Sequence, residues 1–205
     1  MLRMVAEPLE WRKYDDAQLP RVLEAALEAF AKHGYHGTSI RELASTAGLS
    51  VPGLYHHYPS KQDILVALLE DVMRDLVQRT AAALEEAGAS PAARFDAWVE
   101  CLLRFHMFRT KHAFVTSSEL RSLEGANRDR IVALRDELQA MLDSAVEDGA
   151  ADGTFATPYP KAASRGVTVL CIGVSSWYRP DGPLSPEELV HRHLVLARGV
   201  VNATE

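Results

Sequence analysis

This sequence has little from which to build catalytic or metal chemistry. Its two cysteines, Cys101 and Cys171, stand in separate apolar stretches without metal or redox spacing, so both read as buried free thiols. Eight histidines are present, yet His56 and His57 are adjacent, His191 and His193 diverge on a helix, and no His-x-x-x-His pair occurs. No metal is expected. A nucleophile elbow, a Gly-Lys-Ser phosphate loop and a dinucleotide fingerprint are all missing, so no cofactor is expected, and a thioester-binding enzyme is left as a minor alternative to a non-enzyme. No run approaches the roughly 18 consecutive apolar residues of a membrane span. The stretch MLRMVAEPLEWRK lacks a signal-peptide core, which sets the expectation of a cytoplasmic protein with no membrane partner.

Positive charge is also scarce, with a formal net charge of −6, which argues against a nucleic-acid partner until the charge is divided along the chain. Residues 1–61 carry seven Lys/Arg and seven Asp/Glu, so the whole deficit lies in residues 62–205. Between 32 and 61, Lys32, Arg41 and Lys61 face only Glu42, and His33, His36, His56 and His57 add to that side. The basic face is local and modest, so each copy would touch few phosphates and two copies would have to act together. A chain of 205 residues with 47% hydrophobic content is long and apolar enough to bury a real core.

What is there is organised around TSIRELASTAGLSVPGLYHHYPSK, Thr38 to Lys61. A first helix begins at Thr38 or Ser39, where Ser39 and Glu42 have the spacing of a capping box that satisfies two backbone donors. Ile40, Leu43, Ala44 and Ala47 share one face, and Gly48 ends the helix. Ser50 opens a second helix to about Tyr58 that is too short and polar to be a core element. Leu54 and Tyr58 hold it, while Val51, Pro52, Gly53, Tyr55, His56 and His57 offer small and flat groups with which to approach a groove wall. Ser60 and Asp63 cap a third helix. Lys61 then sits at the positive end of that helix dipole, unfavourable alone but favourable if a phosphate docks there. A solvated surface lysine is the plain alternative.

The pattern Thr38, Ile40, Arg41, Leu43, Ala44, Ala47-Gly48, Ser50, Gly53, Leu54-Tyr55, Tyr58 and Ser60-Lys61 resembles the helix-turn-helix of the TetR family of bacterial repressors. The resemblance implies an all-α fold of about nine helices. Residues 1–17 would form an arm, 18–65 a three-helix DNA-binding domain, and 66–205 a larger helical domain for ligand binding and dimerisation. It also implies a homodimeric repressor on a palindromic double-stranded operator, released by a small-molecule effector. Thr38, Ser39, Arg41, Ser50, Val51, Pro52, Gly53, Tyr55, His56 and Lys61 would meet DNA. Of these, Arg41 would fork onto a guanine edge, Val51 and Pro52 would touch thymine methyls, and Thr38, Tyr55, His56 and Lys61 would hold phosphates. With no Arg, Asn or Gln on the second helix, DNA shape would contribute to specificity.

Elsewhere the periodicity is helical. Residues 1–17 show no pattern and receive no role. Pro20 starts a helix whose inner face is Leu23, Ala26, Leu27 and Phe30 and which closes near Gly34. After Lys61 one long helix runs to about Ala87-Gly88 and passes from one domain to the other. Ser90-Pro91 opens a helix with a wide aromatic face, a short segment spans about Phe114 to Leu123, and another helix runs from about Asn127 to Glu147. Gly149 to Phe155 reads as a turn, with Gly153 at the bend and Phe155 plugging the core. Trp98, Leu102, Phe105, Phe108, Thr168 and Ile172 are the candidate pocket lining, although an aromatic stripe at this spacing also suits ordinary core.

The last two helices, about Pro160 to Tyr178 and Ser185 to Val201, combine a small-residue face with a broad apolar stripe. The family implies that they meet their copies across a two-fold axis; two core helices in a monomer are the alternative. Between them WYRPDGPLS resembles a TetR subgroup that senses acyl-coenzyme A thioesters, and it equally suits a structural joint. If the subgroup assignment holds, Arg104, Arg109 and Arg165 are the candidates for the effector's phosphates. A multidrug-type sensor of a free aromatic compound remains the alternative.

Overall fold

The computed structural model describes residues 9–14 and 19–203, and among them nine α-helices form an all-α fold with no named strand. α1 (Arg21–Gly37) packs on α4 (Lys61–Ala87), α2 (Ile40–Thr46) on α1, and α3 (Val51–His57) on α2. Leu23, Phe30, Leu43, Leu54, Ile64 and Leu65 fill the space between them, each nearly or wholly excluded from solvent. α4 then continues without a break through the boundary expected at residue 65 and packs on α5 (Pro91–Phe108) and α7 (Gly125–Asp152). α6 (Thr110–Ser118) and a 3-10 turn, Glu119–Ser122, lie against α1. α8 (Pro160–Ile172) and α9 (Pro186–Val200) close the larger domain against α5.

Several local expectations are corrected by side-chain chemistry. Gly34 (φ 69°) breaks α1 as expected, but Tyr35 to Gly37 add one further turn. Ser39 Oγ accepts the Glu42 N–H at 3.2 Å, but the reciprocal half of the box is missing because the Glu42 carboxylate lies 3.5 Å from His33 Nε2. α7 runs past Gly149 to Asp152, and the turn is confined to Gly153 (φ 86°). Gly149 has a different use: Phe155 folds back over it, and a Cβ there would overlap the Phe155 ring. Phe155 reaches the core against Phe95 at 5.2 Å. α8 stops at Ile172, and the chain tightens into a 3-10 turn, Gly173–Ser176, where Ser175 and Ser176 hydroxyls bond the carbonyls three residues back.

The described part of the N-terminal arm is docked. Trp11 is only 2% exposed, and its indole N–H donates to Glu86 Oε2 at 2.8 Å. Arg12 pairs with Glu86 and Glu100. The buried Arg79 explains this placement, because its guanidinium needs acceptors and takes the carbonyls of Trp11 (3.3 Å) and Lys13 (2.7 Å) beside the Asp75 carboxylate. Tyr14 donates to the Cys101 carbonyl and stacks on Phe108. These residues therefore strap α4 to α5.

Cys101 and Cys171 are buried free thiols, each pushed up to about 12 by burial. No helix among the described residues is long and apolar enough to cross a membrane. Along α8 and α9 large apolar side chains face outward, with Val169 69%, Val195 58% and Leu196 55% exposed beside Val200. A contiguous apolar face of this kind marks an interaction surface more often than a solvated one.

Candidate nucleic-acid interface and ligand cavity

α3 buries one residue, Leu54, and turns its remaining surface outward. Ser50 Oγ accepts the Gly53 N–H at 3.1 Å, and a Cβ on Gly53 would press on that oxygen at 3.2 Å, so glycine lets the cap close. Pro52, Tyr55, His56 and His57 are exposed, as are Ser39 and Arg41 on α2 and Ser50 before α3; Val51 and Gly53 are half-buried. Gly48 (φ 69°) makes the tight corner between the two helices, with Leu49 N–H donating to the Ala44 carbonyl at 2.8 Å. The face is a short helix held at its base with its flat side free.

Two expected phosphate ligands are turned inward instead. Thr38 is 2% exposed, and its hydroxyl lies within bonding distance of the carbonyls of Ala29 (3.2 Å) and Gly34 (2.9 Å). Lys61 Nζ donates to the carbonyls of Tyr35 (2.8 Å) and Thr38 (2.9 Å) and lies 4.3 Å from the Tyr35 ring centre. Its ammonium is repelled by its own helix N-terminus and attracted by the negative end of α1, and that contest decides its direction. Gln62 continues the joint, donating to the Tyr35 hydroxyl and the Ser122 carbonyl.

In the larger domain α4, α5, α6, α7 and α8 enclose a cavity of about 300 Å³. Of the six expected lining residues, Trp98, Leu102, Phe105, Thr168 and Ile172 surround it. Phe108 does not. It lies about 90° around α5 from the centre of the Trp98–Leu102–Phe105 stripe by helical geometry, and stacks on Tyr14 at the surface. The sequence reading missed His106, Arg135, Asp136 and Gln139, which also line the cavity. His106 follows Leu102 by four residues within an apolar stripe, a polar interruption that could have drawn attention. Its Nδ1 lies 2.9 Å from the Leu102 carbonyl, so Nδ1 carries the proton. Burial lowers the His106 pKa, the bond to Leu102 opposes that, and the Arg135 charge adds to the lowering. Of the other arginines considered, Arg104 pairs with Glu100 at 2.7 Å and Arg109 lies over the Tyr14 ring, while Arg165 reaches the cavity. Among the described residues no group of three or more His, Cys, Asp or Glu side chains is placed to hold a metal.

Residues 22–68 match the pattern of bacterial regulatory proteins of the tetR family, and residues 88–201 match the tetracyclin repressor-like C-terminal domain. The chain belongs to the TetR family. That is a family of regulators and not of enzymes. The HTH-type transcriptional repressor KstR2 of Mycolicibacterium smegmatis is 27% identical over 191 residues, covering 90% of each chain. The TetR-family regulator PfmR from Thermus thermophilus is 30% identical, covers 90% of this chain and 99% of its own, and superposes with a TM-score of 0.77. AibR, solved with isovaleryl coenzyme A and operator DNA, shares the fold at a TM-score of 0.79 and 22% identity, over 89% of this chain and 97% of its own. In TetR terms, α2 and α3 are the helix-turn-helix and α4 joins it to the cavity-bearing domain.

Proposed function

We propose that this TetR-family protein is a homodimeric transcriptional repressor that sets α3 of each subunit into successive major grooves of a palindromic operator and is released by an effector in the Trp98 cavity. The observation that carries the reading is α3 itself: seven residues anchored by Leu54 and Val51, with Pro52, Tyr55, His56 and His57 presented outward. So short a helix adds little to the core beyond those two anchors. One copy offers few phosphate contacts, so binding needs a second, and the exposed stripe of Val169, Val195, Leu196 and Val200 supports pairing through α8 and α9. The repressor name of KstR2 and the operator and isovaleryl-coenzyme A bound to AibR support the same reading, with an acyl-coenzyme A thioester as the effector. Release works through α4, which spans from the helix-turn-helix to the cavity wall at Met73 and Leu76. An effector that prefers a different tilt of α4 changes the spacing of the two α3 helices by its differential affinity.

Gel-shift titration on operator DNA selected from the protein's own genomic neighbourhood tests this. Arg41→Ala should relax preference at one base by about 1–3 kcal/mol, and Leu196→Glu should abolish both the dimer and operator binding. An Arg41→Ala protein with unchanged preference contradicts the first assignment. A monomer that binds operator as tightly as wild type contradicts the dimer. Failure of every acyl-coenzyme A species to weaken operator binding at micromolar levels excludes that effector class.

A further inference from the structure

Nearly every other polar side chain on the cavity wall is already spent inside the chain. Trp98 gives its N–H to the Leu138 carbonyl, Thr116 donates to the His112 carbonyl, and Gln139 uses both ends of its amide on Thr168, Asp143 and Ser164. His106, with Nδ1 committed to Leu102, has only a neutral acceptor left at Nε2. Three charges on the wall form no ion pair with a described residue, the cations Arg135 and Arg165 and the carboxylate of Asp136. Asp136 also lines the cavity, but it is exposed and leaves its helix about 100° away from Arg135. The wall is therefore apolar at Trp98, Leu102 and Phe105 and cationic where α7 and α8 meet.

Helix geometry orders the two cations. α7 and α8 run antiparallel, joined at Asp143–Ser164 and again at Gln139–Thr168. Arg135 lies one turn beyond Gln139 and Arg165 one turn to the other side, so their backbones stand on the order of 10 Å apart along the groove. Arg135 is half-buried and close enough to His106 to act on its charge, whereas Arg165 is exposed. A cavity of about 150 Å³ takes a six-carbon ring, so 300 Å³ accommodates a body of about a dozen non-hydrogen atoms. A whole coenzyme A thioester does not fit inside it.

Resting on the reading of this cavity as the effector site, we propose that the effector is a short amphipathic anion: an apolar chain against Trp98, Leu102 and Phe105 that ends in a group held by Arg135. Two sources supply that chemistry. A free carboxylic acid puts its carboxylate on Arg135 and leaves Arg165 idle. A short acyl thioester offers Arg135 its carbonyl and carries its phosphates outside, to Arg165.

Isothermal titration of the full-length protein with octanoate, octanoyl-coenzyme A, coenzyme A and octanol decides among these, with melting temperature as the check on folding. Octanoate or octanoyl-coenzyme A should bind at least about tenfold more tightly than octanol; Arg135→Gln should remove that preference for octanoate and only part of it for octanoyl-coenzyme A, whose phosphates still reach Arg165, while Arg135→Lys retains both. An acid effector leaves Arg165→Gln like wild type; a thioester effector loses about tenfold with that substitution, and added salt weakens it further. Equal binding of octanol and the anions, indifference of anion binding to Arg135→Gln, or no binding of any probe at millimolar concentration overturns the proposal. Operator release, followed in parallel, separates the two levels. An anion that binds through Arg135 without releasing operator upholds the anion site and overturns the effector reading. Release by a neutral aromatic compound that Arg135→Gln leaves intact does the reverse.

Discussion

Substituting Lys61 by glutamine separates a structural cation from a DNA-reading one. The ammonium makes two charge-assisted hydrogen bonds, to the carbonyls of Tyr35 and Thr38, and covers the Tyr35 ring. Bonds of this kind contribute about 1.5–3 kcal/mol each when protected from water. Lys61 is only half-buried, so solvent screening reduces the pair to about 2 kcal/mol in total. For a chain of this size that loss lowers the melting temperature by about 4–8 °C at fixed protein concentration. Operator affinity should fall through loosening of the joint between α1 and α4, alike at every salt concentration. A lysine that instead neutralised a phosphate in each subunit would take about 1.8 from the slope of log affinity against log salt when removed from both. The assay is thus a pair of measurements on one variant, thermal unfolding and salt-dependent operator binding. An unchanged melting temperature together with a slope reduced by about two would refute the reasoning.

Two further substitutions test the packing. His112, partly buried beside Arg109, is pulled from its ordinary 6.5 down to about 4, chiefly by burial. The fold prefers the neutral ring, so this stabilisation is whole above pH 6.5 and is lost as pH falls from there through about 4, where the folded protein also takes the proton. His112→Gln should flatten the stability profile in that window, and an equally steep acid loss in the variant would remove His112 from the account. Gly149→Ala should cost about 1–3 kcal/mol in denaturant unfolding, because the Phe155 ring is held between Gly149 and Phe95 and has no room to retreat. Phe155→Leu in the same chain should recover part of that loss; a neutral Gly149→Ala would mean that the ring is not seated there.

The helix-turn-helix was legible because its signals are local. Ser39, Ser50 and Ser60 cap within three residues of themselves, Gly48 ends α2 by its own backbone freedom, and Leu43 and Leu54 declare the buried face by spacing. Trp98, Leu102 and Phe105 were legible for the same reason, since the stripe of α5 points one way whatever lies opposite, and Thr168 and Ile172 stand one turn apart on one face of α8. Phe108 was misread because it ends that helix off the stripe, where the next contact comes from Tyr14, nearly a hundred residues earlier in the chain. Residues 9–14 carry no periodicity at all. Their position is set by Arg79, Glu86 and Glu100, groups that no local pattern ties to them.

The sequence by itself determined the helices, their caps and the face that α3 turns outward, because each depends on interactions spanning four residues or fewer. Only the tertiary structure decided the use of the charges. Lys61 was claimed by the carbonyls of Tyr35 and Thr38, more than twenty residues earlier in the chain, and where α7 meets α8 Arg135 and Arg165 form no ion pair with a described residue. A charged side chain takes the strongest partner within reach, and reach is a property of the folded chain.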